Sequence, residues 1–381
     1  MKNLGLLPRL VIGIILGIII GSTGVEFLTR LLVTFTGIFG GFLGFIIPLL
    51  IIGFVAPGIA DLGVKAGRLL GITALIAYAS TVLAGILAYL AAATILPSII
   101  TAGEVASSGV SVEPYFEIAI PAIMGVMSAL VTAFVFGLGM AAIKGNTMLN
   151  FMKEFQEIIN KVIQNIIIPL LPVYIAGIFA RMAFQGDVVE TLSVFGRVVI
   201  LVFAVHIVYI VLQYLIAGTY TGKNPFAALK NMVPAYLTAI GTQSSAATIP
   251  VTVRQTKLNG VSDEVADFAV PLCATIHLAG STITLTLCAL AVLMMSGQTA
   301  GIGEILPFVM MLGVTMVAAP GVPGGAIMAA YGLLGTMLGF NEAQLAIMMA
   351  IYVAQDSLGT AANVTGDGAI ALLVNKIAGS K

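Results

Sequence analysis

"GTQSSAATIP", residues 241–250, is a polar, hydroxyl-rich stretch set between two apolar arms. Further on, "APGVPGGAI", residues 319–327, interrupts a second apolar segment with prolines and glycines that no helix continues through. The arms on either side run about ten to fifteen residues, too short to cross a bilayer. Segments 226–256 and 303–340 therefore read as re-entrant helical hairpins. Irregular backbone at membrane depth persists only where protein or a cavity surrounds it. Each hairpin precedes a long apolar run, so a hairpin–span pair occurs twice, the pattern that points to a transporter's binding site.

The rest of the chain fits that setting. Of 381 residues, 60% are hydrophobic and 8% charged, which excludes an ordinary soluble domain. Eight full spans are expected near 8–28, 32–60, 67–98, 116–143, 154–185, 190–219, 262–295 and 342–376. The alternating pattern of an outer-membrane barrel is missing, and no cleaved signal sequence is evident. Lys2, Arg9, Lys65, Arg68, Lys144, Lys153, Lys223, Lys230, Arg254, Lys257, Lys376 and Lys381 fall on one side of this topology. Glu104, Glu113, Asp187 and Glu190 fall on the other, with Arg30, Arg181 and Arg197 as exceptions. The positive-inside rule then places both termini in the cytoplasm of a multi-pass protein of the inner (plasma) membrane, with the lipid bilayer as a partner. Zero net charge and no basic block exclude nucleic acid. No phosphate-binding loop of the Walker type occurs, which argues against an ATP-driven pump. Cys273 and Cys288 read as small buried packing residues. Gly13, Gly17 and Gly21 in "GIILGIIIG" form a face for close helix packing.

Chemistry concentrates in the last span. "QDSLGTAANVTGD", 355–367, carries two carboxylates where charge costs several kcal/mol. Taking Asp356 as i, Thr360 is i+4, Asn363 is i+7 and Asp367 is i+11, so the four share one helix face. No Lys or Arg lies nearby in sequence to pair the acids. Backbone N–H groups at a half-helix start favour an anionic group, and a carboxylate favours a cation, so a zwitterion would satisfy a cavity between this face and the hairpin tips. The sequence argues against an aspartyl-protease dyad. Val364 breaks the Gly-x-Gly-Asp motif, and eleven helical residues separate the acids by roughly 16 Å. A channel would need a continuous polar pathway, whereas these residues cluster at one depth.

These motifs resemble those of the dicarboxylate/amino acid:cation symporter family, the glutamate-transporter fold. "TQSSAATIPVT" looks like its serine-rich first-hairpin motif, "ATIHLAGST" like the Asn-Met-Asp-Gly-Thr stretch of its seventh span, "GVPGG" like its second-hairpin tip and "NVTGD" like its eighth-span signature. The resemblance implies an all-α homotrimer of eight transmembrane helices plus two re-entrant hairpins per subunit, working as an elevator. It implies scaffold helices one and two in 1–65, and transport-domain helix three with its loop in 66–115. Scaffold helices four and five with transport helix six fall in 116–222, and the transport core in 223–381. It assigns Asp356 to the substrate's amino group, and Thr360, Asn363, Ser244, Ser245, Ser281, Gly321 and Gly359 to the substrate site. It assigns Asp367 to sodium, with Asn363, Cys273 and His277 assisting partly through backbone carbonyls, and Ser80 and Thr81 to another sodium site.

Departures from the pattern narrow the substrate. Members that take acidic substrates have an arginine three residues after the amino-binding aspartate, where this chain has Gly359; the first hairpin's arginine is Gln243. Without a cation, a dicarboxylate would be left unpaired at a cost of several kcal/mol. "QDS" and "AGS" look closer to the serine/threonine branch, so the expectation is a Na+-coupled carrier of a neutral amino acid and not an enzyme. The family's Asn-Met-Asp is His277, Leu278 and Ala279 here. His277 is open to two readings, a neutral helix–helix hydrogen bond or a titrating group that makes transport proton-linked.

Overall fold

The computed structural model describes residues 6–64, 68–100, 112–143, 145–186, 188–317, 319 and 324–379. Gly321, and Lys2, Lys65, Glu104, Lys144, Asp187 and Lys381 of the charge pattern, lie outside the described residues. Among the described residues the fold is helical with no strand. Six helices are long and apolar enough to cross a membrane, and four more apolar helices are shorter.

The first body is a packed set of α1 (Leu6–Ser22), α2 (Glu26–Val64), α4 (Val126–Ala142), α5 (Thr147–Val162) and α6 (Ile168–Gln185), with α3 (Arg68–Ile99) belonging to the second body. The glycine face of α1 lies directly on α6. A Cβ at Gly13, Gly17 or Gly21 would collide with the backbone carbonyl of Pro172, Ala176 or Ala180 in turn. Gly177 on α6 likewise admits Thr36 of α2, and Gly137 on α4 admits Ile59. Small residues replace side-chain interdigitation with backbone contact, as expected where lipid supplies no hydrophobic drive.

Two spans of this body depart from the sequence expectation. The stretch expected to open a span at 116 is extended, and α4 begins only at Val126. Pro114, Pro121 and Gly125 prevent a helix there. The extended segment is tied along α2: Tyr115 N–H donates to Thr34 Oγ1 at 2.9 Å, Arg30 Nε donates to Glu113 O at 3.0 Å, and the Arg30 guanidinium lies 4.4 Å from the Tyr115 ring centroid. The helix expected from 154 starts at Thr147 and passes through a π-helical turn, Ile163–Ile167, before α6. Pro169 and Pro172 follow at once and donate no backbone N–H to the preceding turn, while Ile168 N–H reaches back to Ile163 O.

The second body is arranged around α15 (Glu342–Gly379). Against it pack α7 (Val188–Thr221), α9 (Val233–Thr242), α10 (Ser245–Leu258), α11 (Asp263–Ile276), α12 (Ala279–Met295), α14 (Gly325–Leu338) and α3. A short α8 (Pro225–Asn231) precedes α9; Asn224 Oδ1 caps it by accepting from Phe226 N and Ala227 N at 3.0 and 3.1 Å. α9 and α10 form a helix–turn–helix unit, and α13 (Ile302–Met316) packs against α14. Gln243 turns the first tip at φ 53°, a left-handed position unusual outside glycine. The run expected as a single span at 262–295 is two helices, α11 and α12, parted at His277–Leu278.

The α1–α6 contact yields a direct test. Gly17→Val should lower the thermal midpoint of the purified protein by several degrees or prevent its assembly. Gly71→Ala, at a position with nothing within 4 Å, should leave it unchanged or slightly raised. Equal midpoints for both variants would contradict backbone contact at the glycine face.

Candidate functional site

A broken helix exposes backbone donors, and α12 begins without a cap of its own. Asn363 of α15 supplies one from outside. Its Oδ1 accepts from Gly280 N at 2.8 Å and Ser281 N at 3.3 Å, and its Nδ2 donates to Ser281 Oγ at 3.0 Å. The two helices approach closely because Gly280 has no Cβ; one there would strike the Gly359 carbonyl. Gly280 O in turn meets His206 Nε2 at 2.9 Å and accepts from Thr284 Oγ1 at 3.2 Å.

Two turns earlier on α15, Asp356 is buried, and its Oδ2 accepts from Gly324 N at 2.7 Å. Gly324 has φ 76° and immediately precedes α14, so the carboxylate sits at a helix start where a negative charge is favoured. The Thr360 hydroxyl donates back to Asp356 O at 2.8 Å. Tyr352, one turn before Asp356, places its ring beside Asp356 and Ser281.

At the other end of the stripe, Asp367 is fully buried and its Oδ1 lies 2.9 Å from His277 Nδ1. A carboxylate accepts, so Nδ1–H donates. His277 Nε2 lies 3.0 Å from Ser80 Oγ of α3. Gln213 Nε2 donates to that same Ser80 Oγ at 3.0 Å, and Tyr209 OH donates to the Ser80 carbonyl. Asp367 Oδ2 is buried without a hydrogen bond. Cys273 is buried beside Asp367, and its carbonyl accepts the His277 N–H at 2.8 Å.

Asp356, Gly359, Thr360, Asn363 and Asp367 of α15 are thus gathered with Cys273 of α11, His277 at the break and Ser281 of α12. The tip serines stand differently. Ser244 caps its own helix, its Oγ accepting from Ala247 N at 3.2 Å, and Ser245 is half-buried in the first turn of α10. Thr81 donates to Ala77 O at 2.9 Å, inside its own helix. Three features were not foreseen: the break at His277–Leu278, the His206 contact with Gly280 and the Gln213–Tyr209 share in the His277 network. His206, Tyr209 and Gln213 recur at i, i+3 and i+7 of an apolar run, a polar stripe legible in sequence. A cavity of about 540 Å³ opens elsewhere, between α2 and α6 on one side and α12, α14 and the start of α15 on the other, and none of the candidate residues lines it.

Residues 6–377 match the model of a single protein family, described as the Sodium:dicarboxylate symporter family. The chain belongs to that family. It is a family of symporters, not enzymes, and with its long apolar helices the chain is an integral membrane protein. Human Excitatory amino acid transporter 2 is 25% identical over 244 residues, covering 61% of this chain and 42% of that protein. The chain's match therefore spans under half the length of that transporter. Serine/threonine transporter SstT of Bifidobacterium adolescentis is 27% identical over 385 residues, covering 94% of this chain and 87% of that protein. The protein of the same name from Acinetobacter baylyi is 27% identical over 230 residues, covering 59% of this chain and 57% of its own.

If Asn363 caps α12, Asn363→Ala should cost about 1–2 kcal/mol in chemical denaturation, in the range of a lost helix cap. Thr365→Val, which removes a hydroxyl that bonds back to Ala361 O within its own helix, should cost less than about 0.5 kcal/mol. A reversed order would refute the capping role.

Proposed function

We propose that this chain is a secondary active transporter importing a neutral amino acid, such as serine or threonine, by Na+-coupled symport. The observation that carries this reading is Asp356: a buried carboxylate held by one backbone N–H and facing no cationic side chain among its hydrogen-bonded partners. A substrate ammonium is the partner such a group lacks. Thr360, Asn363, Ser244, Ser245, Ser281 and the Gly321 region complete the proposed substrate site. Gly359 leaves the side-chain end of that site without a positive charge, which disfavours aspartate, glutamate and dicarboxylates. The printed name of the SstT relatives supports the same substrate class, whereas that of the excitatory amino acid transporters leaves the acidic alternative to be tested.

The proposed seat of the coupling cation is Asp367, supported by its unpaired Oδ2, with Asn363, Cys273 and His277 beside it. The contact of His277 with Asp367 supports proton coupling as the second reading. The proposed architecture is eight spans plus two re-entrant hairpins (α9–α10 and α13–α14), in a homotrimer of the inner membrane with cytoplasmic termini. In it, 1–65 and the helices corresponding to spans four and five form the scaffold. Helices three and six move with the 223–381 core as an elevator.

Uptake of a labelled amino-acid panel into proteoliposomes under a sodium gradient, a proton gradient or none tests this reading. Serine- or threonine-like substrates should accumulate, and only with the sodium gradient. Accumulation driven by the proton gradient alone moves the second reading ahead; no amino-acid uptake under any gradient refutes both. Asp356→Asn keeps an oxygen for Gly324 N–H and should still assemble, but should lose most substrate binding, at least about tenfold. Gly359→Arg should shift the ratio of acidic to neutral ligand binding upward, since a Cβ at 359 meets its neighbours no closer than 3.5 Å.

A further inference from the structure

Three arginines break the charge asymmetry of the sequence, and the structure accounts for two of them. Arg30 donates to Glu113 O, lies 3.6 Å from Glu26 and stands over the Tyr115 ring. Arg197 donates to Ser193 O on its own helix at 3.4 Å. Arg181 of α6 makes no hydrogen bond or ion pair among the described residues, and it lines the cavity of about 540 Å³. Glu117, on the extended segment before α4, lines the same cavity and is equally without such a partner there. A guanidinium and a carboxylate thus face one space without pairing with each other.

The rest of the wall decides what that space suits. It stays open on the α2 side because Gly37 and Gly40 stand there, and a Cβ at Gly37 would meet nothing within 4 Å. Neighbouring polar groups are spent on the protein: Gln344 Nε2 donates to Ser296 Oγ at 3.1 Å, and Thr36 donates to Leu32 O at 2.9 Å. A second acid, Glu342, lines the cavity from the first turn of α15. A bare anion drawn to Arg181 therefore meets two carboxylates, and a bare cation drawn to the acids meets a guanidinium. A molecule carrying both charges satisfies each: the guanidinium takes a carboxylate through paired N–H donors, and Glu117 accepts from an ammonium. The volume falls within the range of about 300–1,000 Å³ common to small-molecule sites.

We propose that this cavity is a second amino-acid site, in which Arg181 holds the carboxylate of a zwitterionic amino acid and Glu117 its ammonium. It uses none of the residues of the Asp356 site. In the topology proposed above it lies on the side away from the termini, where an imported substrate arrives.

The test is equilibrium binding of labelled serine to the purified full chain in nanodiscs at constant ionic strength, with and without sodium. The parent should bind two equivalents per chain, one of them indifferent to sodium. Arg181→Gln should weaken that sodium-independent equivalent by about tenfold, a charged hydrogen-bonded pair's worth, and leave the other within about twofold. Glu117→Gln should do the same, and neither exposed change removes a contact within the protein. Glycine should displace serine from this equivalent, whereas acetate or methylamine at the same concentration should not. A single equivalent in the parent overturns the proposal. So does a sodium-independent equivalent that both variants leave unchanged, or one that acetate displaces as well as glycine does, which marks a simple anion site. Asp356→Asn separates the two sites: a sodium-independent equivalent that persists in it and is lost on adding Arg181→Gln supports this site, whatever becomes of the Asp356 reading.

Discussion

A helix that stops inside a membrane leaves backbone donors with no water to receive them, and the second body depends on how that need is met. Two helices, α12 and α14, start in its interior. α15 meets the first with Asn363 and the second with Asp356. The same side chains join the broken helices to the central one. In the proposed reading they also meet the ligand, so that stability and recognition would rest on one stripe of one helix.

That double use explains the close contacts around the stripe. Gly280 and Gly359 bring the two backbones together so that Asn363 can reach the start of α12. A Cβ at Gly366 would strike Gln213 and His277, and one at Gly368 would strike Tyr214. The glycines of "VTGDG" thus let α7 and the His277 loop close over Asp367. The carboxylate ends up fully buried, with one oxygen on an imidazole and one unpaired. In the reading proposed here, substrate and cation complete what the protein leaves open at Asp356 and Asp367.

Much of this was legible in sequence, for physical reasons. The spacing of Asp356, Thr360, Asn363 and Asp367 specifies one face of a continuous helix, and α15 is continuous from Glu342 to Gly379. A polar, hydroxyl-rich stretch marked the turn between α9 and α10, and proline and glycine marked the interruption between α13 and α14. The break at His277–Leu278 was not legible. No proline or glycine pair stands there, and what stabilises it comes from remote residues: Asp367 on the His277 ring and Asn363 on the next turn. The start of α4 was misplaced because hydropathy runs on through 116–125, whereas Pro121 and the ties to Arg30 and Thr34 hold that stretch extended along α2.

The central claim is that a buried carboxylate without a neighbouring cation selects a neutral zwitterion. Competition between serine and aspartate for the purified protein, at saturating sodium, tests it most directly. A buried charge left unpaired costs several kcal/mol, so aspartate should compete at least about a hundredfold more weakly than serine. Aspartate competing as well as serine, or better, would contradict the account.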